Sequence, residues 1–131
     1  MVAQLHATDL EENRPDTGGC IMHSWSEKHK WQGCCYTADH AQKQCMWNKP
    51  RELTSYTGNG YEISAQYSEG IDAKEALALW KGSKYHNAVI LNMDAYKAKW
   101  NAIGIGIYKR YSVIWFGHEV DKEGEPGKPV R

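Results

Sequence analysis

Four cysteines and one well-placed histidine are the residues whose chemistry can be read most directly. The cysteines at 20, 34, 35 and 45 share one span, "GGCIMHSWSEKHKWQGCCYTADHAQKQC". An even, clustered set closes two disulfides in an oxidising compartment or holds zinc as thiolates. The paired C-x2-C spacing of a zinc ribbon or finger is absent, which favours disulfides. A bridge between the adjacent Cys34 and Cys35 would strain the peptide joining them. The expected pattern therefore sends one of them to Cys20 and the other to Cys45, with the assignment open. The histidine is His86, in "WKGSKYHNAVILN". Trp80 closes an amphipathic run there, Gly82 and Ser83 interrupt it, and His86 opens a new apolar run. Its imidazole is placed either to pack or to take part in chemistry.

These groups need elements to hold them. Ala3, Ala7 and Leu10 recur at helical spacing, predicting a helix over residues 2–13 that ends before Pro15, Gly18 and Gly19. His6 falls near that apolar face and reads as a partly buried residue with its hydrogen bonds met. Residues 20–50 are irregular, with a short helix expected near 38–47 that carries His40; disulfides would substitute for regular structure here. "TGNG" marks a turn, and "YEISAQY" after it alternates as a short strand. Asp72 caps the clearest helix, with Glu75 three residues on and Ala73, Ala76, Leu77 and Trp80 along one face. "NAVILNM" fits either a short buried helix or a connection. "AIGIGIYKRYSVIWFG" predicts a hairpin in which Ile103, Ile105 and Ile107 face one way and Gly104 and Gly106 the other. A glycine face admits close approach by a helix or a ligand. Residues 118–131 read as a polar tail, with His118 at its border, and His29 in "EKHK" reads as solvated.

Composition narrows the function classes. The 131 residues fit one domain, and 16 basic residues balance 16 acidic ones, so no whole-chain field attracts nucleic acid or an anionic membrane. No apolar run approaches the roughly 18 residues of a membrane helix. The first residues lack the basic-then-apolar order of a signal peptide, and the chain reads as trimmed. Six Trp and eight Tyr stand beside one Phe, a balance that suits cavity walls as well as cores.

Together, "HSW" at 23–25, "GYEIS" at 60–64, "W-x-x-S-x-x-H-N" from Trp80 to Asn87 leading into "AVILN", and "AIGIGIY" running into "VIWFG" resemble the bacterial branch of the CAP superfamily. These are the SCP-like domains of cysteine-rich secretory, antigen 5 and pathogenesis-related 1 type. The resemblance covers roughly residues 2–117, giving a domain over 1–117 and the tail over 118–131. It implies an α+β fold, an α-β-α sandwich with a small antiparallel sheet between helical layers, and here a disulfide-stapled N-terminal third. It also implies a secreted or extracytoplasmic location. The capped helix and terminal hairpin agree with that architecture.

The family's cleft is lined by two histidines and two acids. By resemblance, the histidines match His23 and His86. The acid of the family's "G-E-N-I-A" strand matches Glu62, although in "GYEIS" the register slips by one, which would turn the side chain to the other face. Ser83 stands where eukaryotic members carry the second acid. The implied cleft is His23, Glu62, Ser83 and His86, and the implied metal ligands are His23 and His86, with zinc weakly held and Glu62 either ligating or orienting a ring. The leading function is a binding module for a small apolar or amphipathic ligand or a divalent metal. The alternative is a cleft hydrolase using a histidine base with Ser24 or Ser83, although no "G-x-S-x-G" frames either serine. Third is an interaction domain with a vestigial cleft.

Overall fold

A computed structural model describes residues 1–124. Its middle layer is an antiparallel sheet of β1 (Tyr61–Gln66), β2 (Ala102–Tyr108) and β3 (Tyr111–Gly117), in the order β1-β3-β2. Side chains alternate between faces along each strand. The register pairs Glu62 with Trp115 and Trp115 with Gly104, and below them Ser64 with Val113 and Val113 with Gly106. These residues share one face. Ile63, Ile114 and Ile105 share the other.

Helix α1 (Val2–Asn13) covers the first face, with Ala3, Ala7 and Leu10 packed against Tyr111, Val113 and Trp115. The glycine stripe explains how closely it lies. A Cβ on Gly106 would fall 2.3 Å from the carbonyl carbon and oxygen of Ala3 and 2.6 Å from the Gln4 nitrogen. Helix α2 (Lys43–Leu53) lies on the same side, where Met46 joins this core. The opposite face packs Ile63, Ala65 and Phe116 against α3 (Ala73–Gly82) and α4 (Lys84–Ile90), through Ala76, Trp80 and Val89. The α+β sandwich expected from the sequence is therefore the fold.

Asp72 caps α3 as expected: its carboxylate accepts from the Glu75 amide at 2.8 Å, and Glu75 accepts from the Asp72 amide at 2.9 Å. The hairpin turns at Lys109-Arg110, with Lys109 at φ 50°. The bridges join Cys20 to Cys35 and Cys34 to Cys45, which resolves the assignment the sequence left open.

Three expectations need correction. The helix expected near 38–47 begins only at Lys43 and runs on to Leu53. Thr37, Asp39 and Gln42 tie the backbone into a turn ahead of it, and His40 sits there at φ 58° instead of on a helix. Pro50 is accommodated near the helix end, where its carbonyl takes the Thr54 amide and hydroxyl. His118 is not simply the border of a tail: it stacks on Trp100 with ring centroids 4.3 Å apart and its Nδ1–H donates to the Lys99 carbonyl at 3.0 Å. The expected tail extends over 125–131 outside the described residues.

Candidate functional site

Glu62 occupies the middle of the site because β1 turns it toward α1. Its side chain is fully buried, and both carboxylate oxygens are engaged. Oε1 accepts from Nδ1 of His23 at 2.7 Å and Oε2 pairs with Nδ1 of His6. Burial pushes the carboxyl up, but the charge facing it from His6 and the two histidine hydrogen bonds prevail and hold it below its ordinary value. Ile63 points to the opposite core. The register question raised by "GYEIS" thus has a direct structural answer, with the acid on the side of the histidines.

His6 reaches Glu62 from α1, on the face that carries Ala3, Ala7 and Leu10. It is completely buried. Its other nitrogen donates to the Ser24 carbonyl at 2.8 Å, and the ring stacks on Trp25 with centroids 4.1 Å apart and planes 8° from parallel. A carbonyl and a carboxylate both accept, so the ring satisfies them with an N–H on each nitrogen. A cationic His6 against a carboxylate Glu62 is the result. The Trp25 indole also lies under the ammonium of buried Lys49, 5.0 Å from the ring centroid. Lys49 completes its donors on Glu52 and the Gln32 carbonyl, each at 2.7 Å.

His23 arrives from the irregular N-terminal third. Cys20–Cys35 closes that segment, Ile21 donates to the Tyr36 carbonyl at 2.8 Å, and Trp25 and Cys34 exchange backbone hydrogen bonds at 2.9 Å. The ladder leaves His23 with its edge toward Tyr36, ring centroids 5.1 Å apart. With Nδ1–H given to Glu62, Nε2 is the nitrogen left for a partner and carries the lone pair whenever the ring is neutral, and the side chain is 14% exposed. A buried carboxylate thus fixes the tautomer of a histidine that touches solvent.

His86 completes the group from the first turn of α4, whose N-cap is Ser83. The Ser83 hydroxyl accepts from the His86 amide at 3.4 Å and so anchors that turn. Burial, aided by the proximity of His23, depresses His86 basicity. Tyr85 presents its edge to His86, and its hydroxyl bonds that of Tyr96. Burial first, then Tyr85 and Glu62, raise the Tyr36 phenol. The site is therefore a buried carboxylate bonded to His6 and His23, with His86 held toward its neutral form nearby and tyrosines at its border.

The structure brings His23 and Glu62 into direct contact and leaves His86 close enough to feel the charge of His23 but in neither a hydrogen bond nor a ring pair with it, with Ser83 supporting His86 through the backbone. Ser24 is fully buried, its hydroxyl bonded to the Tyr36 amide at 2.8 Å. It has no access to a substrate. For a metal, the donor set is short. Both Glu62 oxygens are taken by histidine N–H groups, and no three His, Cys, Asp or Glu side chains among the described residues form a metal-holding group. Glu62 serves to orient a ring, and the residues do not fit a resident metal, which needs three or four protein ligands.

His6 is the site residue that sequence reasoning missed. Its position on the alanine face was legible, but the partner 56 residues away was not. Comparisons of the chain with family models, curated proteins and solved structures found no match.

Proposed function

We propose that this chain is a CAP-type extracytoplasmic binding domain whose cleft holds a small amphipathic ligand by accepting a hydrogen bond at Nε2 of His23. The single observation behind the reading is the buried Glu62 carboxylate on Nδ1 of His23, which orients the ring so that Nε2 is the acceptor of its neutral form. Tyr85, 58% exposed and set against His86, and Tyr96 packed on it offer apolar ring surface for the ligand body. Two disulfides and the absence, among the described residues, of any helix long and apolar enough to cross a membrane support the location. The family resemblance supplies sterols as a probe class.

A sterol alcohol donates to Nε2, whereas the matching ketone does not. The alcohol is expected to bind saturably in calorimetry, the ketone several-fold more weakly. His23→Phe is expected to lose that difference. Absence of binding by the alcohol, or an unchanged affinity in His23→Phe, overturns the reading. A zinc titration separates it from reversible metal binding: heat in the wild type that disappears in His86→Ala would favour the cation instead.

A further inference from the structure

Two glycines on β2 face the same way, and only one is explained by packing. Gly106 lies under the backbone of α1. A Cβ on Gly104 would meet nothing closer than the Ala3 Cβ at 3.8 Å, an ordinary contact. Glycine inside a strand weakens it and often marks a close approach by another group, yet no described group comes nearer to Gly104 on that side than this ordinary contact. The space beside it is a cavity of about 440 Å³, within the range of small-molecule sites.

Its wall is chiefly apolar: Ala3 from α1, Pro50 from α2, Ile103 and Gly104 from β2, and Trp115 and Phe116 from β3. Tyr56 closes one side by lying on Gly117, where a Cβ would fall 2.0 Å from its hydroxyl, and by donating to the Glu119 carbonyl at 2.8 Å. Glycine at 117 is thus required by that wall. The charged side chains lining the cavity are Asp121 and Glu123; Met1, which carries the terminal amino group of this chain, also lines it, and no lysine, arginine or histidine does so among the described residues. Two carboxylates against one amino group leave an excess of negative charge at the rim of an apolar interior, which favours a cation over an anion.

We infer that this cavity, separate from the His23 cleft, binds a small apolar ammonium compound, with its chain against Gly104 and Trp115 and its charge toward Asp121 and Glu123. It requires nothing of the histidine site. The probe is decyltrimethylammonium below its micelle-forming concentration, followed by amide NMR of the full chain, with decanoate as the anionic counterpart. Saturable shifts are expected at Ala102, Gly104 and Gly117, with decanoate weaker by about tenfold or more. Gly104→Leu, whose side chain would enter the open volume, is expected to stay folded and lose the response. Asp121→Asn with Glu123→Gln is expected to remove the preference for the cation, and His23→Phe to leave binding intact.

No saturable shift with the ammonium probe overturns the inference, as does equal binding of decanoate. Retained binding in a folded Gly104→Leu variant does so too. Shifts at the same amides on raising the protein concentration alone would assign the cavity to a second copy of the chain, which also overturns it. Should Gly104→Leu fail to fold, the carboxamide variant decides by itself.

Discussion

Replacing Glu62 by glutamine keeps the side-chain volume and removes the charge that His6 faces. Both side chains of that pair are 0% exposed, so the discount that reduces exposed pairs to about 0–1 kcal/mol does not apply. Breaking a buried pair from one side costs about 3–5 kcal/mol, because the remaining charge is left without compensation. Glutamine can still accept from one histidine, which places the expected loss near the lower end, about 3 kcal/mol. That is roughly a hundredfold fall in the folded-to-unfolded ratio, from a total stability of about 5–15 kcal/mol for a domain. Urea unfolding followed by circular dichroism reads it directly. With a slope of about 1–3 kcal/mol per molar, the midpoint should fall by about 1–3 M. Glu11→Gln serves as the control, since Glu11 pairs with Arg110 at the surface, 33% exposed on the arginine side. A Glu62→Gln loss no larger than that control would refute a cationic, buried His6 on Glu62.

Gly106→Ala is expected to cost about 1–3 kcal/mol in thermal or urea unfolding, because α1 must move off the strand, while Gly104→Ala stays within about 0.5 kcal/mol; equal losses would contradict the close-approach account. Stability is expected to fall on acidification, measured by urea unfolding at a series of pH values. The folded Glu62 value is lowered, so its contribution is present above the unfolded carboxyl value and is lost as pH falls through the folded one. The His86 value is also lowered from 6.5, so as pH drops through that window the unfolded chain takes a proton that the folded chain declines, and stability falls again. His86→Asn should flatten the upper part of that profile. An unchanged profile in that variant would remove His86 as its source.

Local signals in the sequence carried much of the architecture. Asp72 and Glu75 write a helix start within four residues, and the Ile-Gly alternation writes a strand with one bare face. Both are short-range patterns, and both formed as expected. The expectation near 38–47 failed because Ala38 and Ala41 mimic a helical face while Thr37, Asp39 and Gln42 use their side chains to stabilise a turn. At the site, His23 and Glu62 were named from motifs, but the direction of Glu62 depended on a register that only pairing with β3 fixes. His6 escaped notice for a related reason. A histidine among alanines has the same sequence signature whether it meets water, a carbonyl or a buried acid, and its distinguishing partners come from β1 and from the loop at Ser24.

The two bridges have a consequence for how the site is held together. Glu62 and His6 are delivered by a strand and a helix, elements built from backbone hydrogen bonds and core packing. His23 is delivered by a stretch tethered at Cys20–Cys35 and Cys34–Cys45. The Ser24 carbonyl and the Trp25 ring that hold His6 lie in that same stretch, so the bridges bear on the buried charge pair as well as on the outward-facing histidine. Reduction of the two disulfides is therefore a perturbation of the whole histidine–carboxylate group and not of its exposed member alone.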